Sequence, residues 1–137
     1  MNLQIHLQAV GGLQILLALA HCTFPRRFQW REELSRLSLL NRQIFYVHAF
    51  FVCLVLLLFG TLNLVCAHEL LMPGRLSKAI LGGITFFWIL RWLVQFFVYD
   101  SRLWRGNRFN TAMHVTFSMV WTYFAAVYGW ALLRQFI

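Results

Sequence analysis

Charged residues are scarce in this sequence, and acidic residues are the scarcest. Only four of the 137 residues are acidic, and charged residues of both signs make up 12% of the chain, about half the share in an ordinary soluble domain. Hydrophobic residues make up 61%, and the mean hydropathy is +0.66. This balance excludes a soluble globular domain and predicts a small integral membrane protein.

The sequence also lacks the common patterns of catalytic and metal-binding residues. It contains no H-x-x-H, H-x-x-x-H, E-x-x-H or C-x-x-C, and its apolar stretches hold no pair of carboxylates. Ser118 has no evident histidine base oriented by a carboxylate, and Gly82-Gly83 is no phosphate loop. We therefore name no catalytic residue and expect a binding protein rather than an enzyme.

Long apolar stretches dominate what the sequence does contain. Four of them, residues 4–24, 43–67, 77–99 and 110–133, are each near the ~20 residues with which a helix crosses hydrocarbon. Backbone in lipid must satisfy its own hydrogen bonds, and no alternating strands typical of a barrel are present. The sequence predicts an all-α fold, with residues 1–137 forming one integral membrane four-helix bundle.

Arginines mark the first and third connections between these spans. Eight of the eleven arginines lie there, namely Arg26, Arg27, Arg31, Arg36, Arg42, Arg102, Arg105 and Arg108. The positive-inside rule places these connections in the cytoplasm and both termini on the outer side. No basic residue precedes the first stretch, the reverse of a cleavable signal peptide. The net charge of +8 is explained by topology and anionic lipid, so we expect no nucleic-acid partner.

The first connection has a helical pattern of its own. Within residues 26–41, Trp30, Leu34 and Leu37 repeat every three or four positions, and the arginines lie away from that stripe. This spacing predicts a short interfacial helix on the cytoplasmic membrane surface.

Small and polar residues at helical spacing mark the packing faces of helices in lipid. On the first span they are Gln4, Gly11, Gln14, Ala18 and His21. On the fourth span the predicted buried face consists of Thr111, His114, Ser118, Thr122, Ala125 and Gly129. The cysteines, Cys22, Cys53 and Cys66, fall at different depths, so we expect them to be unpaired apolar packing residues.

Arg91 is the residue that these accounts leave unexplained. It lies inside the third span, with Gln95 and Tyr99 following at one-turn intervals towards the cytoplasmic boundary. No carboxylate falls at its depth. Its charge can therefore be met by neutral acceptors, by a lipid headgroup that the long side chain reaches, or by the anionic end of a bound molecule.

Three histidines fall in one shallow cytoplasmic layer below Arg91. They are His21, His48 and His114, whereas His6 and His68 lie at the opposite face. The trio could ligate a metal ion, because imidazoles on separate helices can converge on one point. His48 and His114 could instead be the axial ligands of a haem b. Packing or interfacial roles are the third alternative, and proton handling or polar contacts with a substrate are the fourth.

Two segments resemble parts of uncharacterised small four-span bacterial inner-membrane proteins. They are residues 37–45, LSLLNRQIF, and residues 91–100, RWLVQFFVYD. The resemblance implies a multi-pass protein of a bacterial inner membrane, and it implies no activity.

The leading hypothesis is an accessory or binding protein with a cytoplasm-facing polar pocket. Its ligand-binding residues would be Arg91, Gln95, Tyr99, His48 and His114, holding an amphiphile with an acidic head. A b-type haem electron-transfer protein and a membrane metalloenzyme are the alternatives. We expect membrane lipids as partners, with partner subunits or a homo-oligomer also open.

Overall fold

Helices account for nearly all of the regular structure. A computed structural model of the chain describes residues 2–100, 102, 104 and 106–137, so the predicted loop residue Arg105 lies outside the described part. The helices are α1 (Leu3–His21), α2 (Phe24–Arg27), α3 (Trp30–Glu33), α4 (Leu39–Val65), α5 (Ala67–Leu71), α6 (Arg75–Phe97) and α7 (Arg108–Leu133), with a 3-10 turn at Leu34–Arg36. The described residues contain no strand. The predicted all-α fold class is confirmed.

Four of these helices, α1, α4, α6 and α7, are long and apolar enough to cross a membrane. Their outward faces carry large apolar side chains such as Phe50, Phe86 and Met119, which are 63%, 65% and 68% exposed. Soluble monomers rarely expose apolar surface so extensively. These surfaces are compatible with helices surrounded by hydrocarbon.

The chain divides into two compact units. The N-terminal unit is Ile5–Ala67, and the C-terminal unit is His68–Ile137 together with the first residues of the chain. The N-terminal unit contains most of α1, the connection and α4. The C-terminal unit contains α5 apart from its first residue, together with α6 and α7.

In the N-terminal unit, α1 and α4 approach each other backbone to backbone at Gly11 and Gly60. A Cβ atom built on Gly11 would lie 2.8 Å from the Gly60 carbonyl oxygen, and one on Gly60 would lie 2.9 Å from that of Gly11. One turn further along each helix, buried Asn63 donates from Nδ2 to Oε1 of buried Gln14 at 2.9 Å. Gly11, Gln14 and Ala18 are all buried, so the centre of the predicted packing face of the first span is confirmed.

The connection between α1 and α4 is helical but divided. Gln29 takes a left-handed backbone conformation, with φ 48°, which separates α2 from α3. Ser38 is extended, and its hydroxyl caps α4 by accepting from the Asn41 backbone N–H at 3.4 Å. A helix cannot continue through either residue. Short turns therefore replace the single helix predicted over 26–41, and α4 begins at Leu39 rather than at residue 43.

In the C-terminal unit, α6 and α7 form an antiparallel pair with an aromatic core. The Trp88 ring stacks on Trp121, with ring centres 5.2 Å apart, and meets Phe124 edge-on at 4.7 Å. Tyr128 is fully buried on the same side of α7.

The predicted buried face of the fourth span is wrong in part, because two of its six residues are exposed and the other four are only half-buried. Thr111 and Thr122 are exposed, whereas Trp121, Phe124 and Tyr128 are buried. Small residues mark an interface where two backbones come close, but α6 presents the large Trp88 ring to its partner. Stacked rings therefore fill the space between α6 and α7.

An exposed ion pair follows the end of α6. The Asp100 carboxylate accepts from the Arg102 backbone N–H at 2.8 Å and from its guanidinium at 2.6 Å. The Arg102 guanidinium lowers the pKa of the Asp100 carboxyl. Because the folded pKa is the lower one, this pair contributes stability above the unfolded pKa and loses it as the pH falls through the folded value.

We expect Arg102→Gln to raise the pKa of Asp100 towards its ordinary value, because the charged hydrogen bonds to the carboxylate are lost. Titration of the carboxyl carbon by NMR would measure this. Arg108→Gln, which removes an exposed charge outside the pair, is the control. An unchanged Asp100 titration in Arg102→Gln would contradict the described pair.

Candidate functional site

Arg91 lies in the second half of α6 and is half-buried. Its guanidinium carbon sits 4.7 Å from the centre of the Trp121 ring and 5.7 Å from that of Tyr99. Its Nη1 donates to Oε1 of Gln95 at 3.3 Å. A cation over an aromatic face is attracted by the negative face of the ring. The Arg91 side chain is therefore held in place by neutral groups.

Among the residues that the structure describes, no acidic side chain neutralises Arg91. Within the described part of the chain, the ion pair found joins Asp100 to Arg102. Of the three partners considered for Arg91 from the sequence, the structure supplies a neutral acceptor in Gln95. The guanidinium keeps its positive charge together with donors that Gln95 does not use.

Gln95 is the centre of the polar cluster. It is buried, and its Oε1 also accepts from Nε1 of Trp121 at 3.2 Å. On the other side, its Nε2 lies 2.8 Å from Nδ1 of His114. One amide group thus joins residues of α6 to residues of α7.

His114 is also held by an aromatic ring from the loop before α7. The Trp104 ring stacks on the imidazole with centres 3.8 Å apart and planes 14° apart. The Trp104 carbonyl oxygen accepts from the Thr111 hydroxyl at 2.8 Å and from the Asn107 backbone N–H at 3.2 Å. These bonds tie the loop to the first turn of α7.

Sequence reasoning missed both tryptophans of the site. Trp121 follows His114 by seven residues, and two turns of helix place residues so spaced on one face. That spacing was the available signal. Nothing comparable in the sequence indicates that Trp104, in an irregular loop, stacks on His114.

The structure brings together four of the five predicted ligand-binding residues. Arg91, Gln95, Tyr99 and His114 all belong to the C-terminal unit, and Tyr99 is exposed just beyond the end of α6. The fifth, His48, is exposed on α4 of the N-terminal unit.

The predicted metal ligands His21 and His48 each bond to their own helix. Nδ1 of His21 lies 2.7 Å from the Leu17 carbonyl oxygen, and Nδ1 of His48 lies 2.8 Å from that of Ile44. Across the described residues, no three His, Cys, Asp or Glu side chains are grouped so that they could hold a metal ion. The structure gives the trio of His21, His48 and His114 no support as a metal site.

Comparison of the chain with protein-family models, with curated proteins and with solved structures finds no match. What the chain does must therefore be inferred from its own residues.

Proposed function

We propose that the chain is a multi-pass protein of a bacterial inner membrane that binds an amphiphile with an anionic head at Arg91. The supporting observation is a half-buried guanidinium on a helix of membrane-spanning length, which no carboxylate of the described residues contacts. Placing an arginine at the middle of a membrane helix costs about 2.5–3.5 kcal/mol. An anion that pairs with Arg91 offsets that cost in the bound state.

The chemistry around Arg91 suits such a head. Arginine has five N–H donors in a planar fork that matches carboxylate and phosphate oxygens, and the hydrogen bond to Gln95 uses one of them. The guanidinium carbon lies 4.7 Å from the centre of the Trp121 ring, which attracts the cation. A charged pair in this half-buried setting is less screened than one in water.

Apolar side chains next to the cluster would contact the tail of the amphiphile. Phe96 lies 6.4 Å from His114 and 5.0 Å from Trp92, measured between ring centres, and Phe96 is 47% exposed. A hydrocarbon chain can lie along this surface while the head reaches Arg91. The binding role is that of an accessory protein, with membrane lipids as partners.

The positive-inside rule supports an opening towards the cytoplasmic leaflet. The cluster lies at the loop end of α6 and α7, beside the connection that carries Arg102 and Arg108. Anionic lipids of that leaflet are attracted by such basic connections. Both termini would then lie on the outer side.

Arg91→Gln is expected to lower the preference for phosphatidylglycerol over phosphatidylcholine by about tenfold, because a charged hydrogen bond contributes about 1.5–3 kcal/mol. The measurement is native mass spectrometry of the full chain released from nanodiscs of mixed composition. Lipid adducts of each class are counted at matched lipid concentrations.

Arg108→Gln is the matched control, since it removes an exposed arginine at the start of α7. It should leave the preference within about twofold, as expected for an exposed and screened charge. Equal losses in the two variants would mean that Arg91 only adds to the general basic charge, and the proposed site would be rejected.

A further inference from the structure

We infer that Gln95 holds His114 as a second hydrogen-bond donor of the Arg91 site. The head of the ligand is then an oxyanion with at least two acceptor oxygens, the chemistry of a phosphate. This inference rests on the proposed function and defines the ligand class of that same site.

The orientation of the Gln95 amide follows from its neighbours. Arg91 Nη1 and Trp121 Nε1 approach the same amide atom at 3.3 and 3.2 Å. Both groups are donors that cannot accept, so the atom between them must be the oxygen. The other atom of the amide, which faces His114, is therefore the NH₂ group, and the assignment does not depend on an arbitrary choice of flip.

The tautomer of His114 follows in turn. The Gln95 NH₂ group donates to Nδ1 of the imidazole at 2.8 Å, so Nδ1 carries a lone pair and the proton resides on Nε2. Within the described part of the chain, this Nε2 is not among the buried polar atoms that lack a partner. The described hydrogen bond of the imidazole is the one at Nδ1, so Nε2 has neither a described partner nor a fully buried position, and we take it as the donor that a ligand can reach.

His21 and His48 are held in the opposite tautomer. Their Nδ1 atoms face backbone carbonyl oxygens at 2.7 and 2.8 Å, which can only accept, so Nδ1 must carry the proton. His114 is thus distinguished from these two histidines by its amide partner. His21 and His48 can therefore serve as reference histidines, protonated on Nδ1, for the tautomer of His114.

Arg91 and His114 therefore flank one amide group, and each keeps an N–H donor that the amide does not use. Each lies within hydrogen-bond distance of Gln95, and no carboxylate contacts either of them in the described residues. A cluster made of donors repels cations and recognises acceptors. A phosphate can take one bond from the guanidinium and another from the imidazole.

The same tautomer opposes the haem alternative for His114. An imidazole that binds iron through Nε2 has its proton on Nδ1, where it donates to a second group. At His114 the Nδ1 position faces the Gln95 NH₂ group, so ligation would require the amide to rotate and to lose its bonds from Arg91 and Trp121.

The tautomers can be read directly by ¹⁵N NMR of the full chain, labelled at histidine and reconstituted in nanodiscs. We expect the His114 signals of a neutral ring protonated on Nε2, and those of rings protonated on Nδ1 for His21 and His48. His114→Gln, His21→Gln and His48→Gln assign the signals. A His114 ring protonated on Nδ1 would overturn the inference and leave the Arg91 proposal standing.

Gln95→Glu tests the role of the amide in ligand choice. A carboxylate at this position pairs with Arg91 and accepts from His114, so binding of phosphatidate from nanodiscs should fall at least tenfold. Gln95→Met is the second variant, for use if the glutamate variant does not fold. Methionine is similar in size to glutamine but cannot make the hydrogen bonds of the amide. In Gln95→Met, both neutral tautomers of His114 should be populated, and phosphatidate binding should fall by less than in Gln95→Glu. Unchanged phosphatidate binding in both variants would refute the inference.

Two further experiments distinguish a free phosphate ion from a lipid headgroup as the bound oxyanion. Inorganic phosphate added to nanodiscs of phosphatidylcholine should shift the His114 Nε2 signal if a free ion is bound, and phosphatidate alone should shift it if a lipid headgroup is bound. A shift in either experiment supports the oxyanion, and no shift in both overturns it. If Arg91→Gln lowers the preference for anionic lipid and His114→Phe does not, the inference about His114 is rejected and the proposed function stands. If Arg91→Gln leaves that preference unchanged, the proposed function itself is rejected.

Discussion

Gly60→Leu is expected to lower the stability of the N-terminal unit by about 1–3 kcal/mol, because overpacking at a close helix contact displaces both backbones. A Cβ atom at Gly60 would already lie 2.7 Å from Cγ1 of Ile15 and 2.9 Å from the Gly11 carbonyl oxygen. The added branches of leucine require α1 and α4 to move apart. That movement also separates Asn63 from Gln14, whose bond is buried. Reversible unfolding in mixed micelles, followed by circular dichroism, measures the loss.

Gly12→Leu provides the matched control. Gly12 is the immediate neighbour of Gly11 on α1, yet a Cβ atom there meets nothing within 4 Å. Leucine is also the better helix former, by somewhat less than about 1 kcal/mol. Gly12→Leu should therefore leave stability unchanged or slightly raise it. Similar losses in Gly12→Leu and Gly60→Leu would contradict the backbone contact.

Trp121→Ala is expected to destabilise the C-terminal unit by about 3–5 kcal/mol, the range for truncating a large buried aromatic residue. Trp121 is 5% exposed and lies between Trp88 and Phe117, with ring centres at 5.2 and 5.5 Å. The variant also removes the ring beneath the Arg91 guanidinium. Anion preference should therefore fall together with stability.

Two further variants separate packing from hydrogen bonding at this position. Trp121→Phe keeps a ring for stacking but loses the N–H that donates to Gln95, so we expect about 1 kcal/mol of destabilisation. Trp130→Ala truncates a tryptophan of the same helix that is 47% exposed and should cost far less than Trp121→Ala. If Trp130→Ala were as damaging as Trp121→Ala, the buried stack would not be the main source of stability.

Helix positions were the most predictable part of the fold. The predicted spans 77–99 and 110–133 agree with α6 and α7 to within two residues at each end, because length and hydropathy decide which segments can be long apolar helices. The start of α4 was less predictable. Ser38 caps that helix, and a cap depends on one local backbone conformation that a periodic pattern does not contain.

The candidate site was predictable along one helix and not between helices. Arg91, Gln95 and Tyr99 follow each other at one-turn spacing, and the structure places Arg91 in contact with Gln95 and near Tyr99. Spacing along α6 does not say which residues of α7 lie opposite. The pairing of Gln95 with His114 and of Arg91 with Trp121 depends on the register of two helices that are far apart in sequence.

The sequence by itself determined the all-α fold class, the number of long apolar helices and the presence of an arginine within one of them. These properties follow from composition and from periodicity along one helix. The tertiary structure alone decided which face of α7 is buried, where Gly11 meets Gly60, and which side chain faces Nδ1 of His114. Each of these depends on contacts between helices. Because nearly every helix face in this chain is apolar, hydropathy cannot tell which face is buried against another helix.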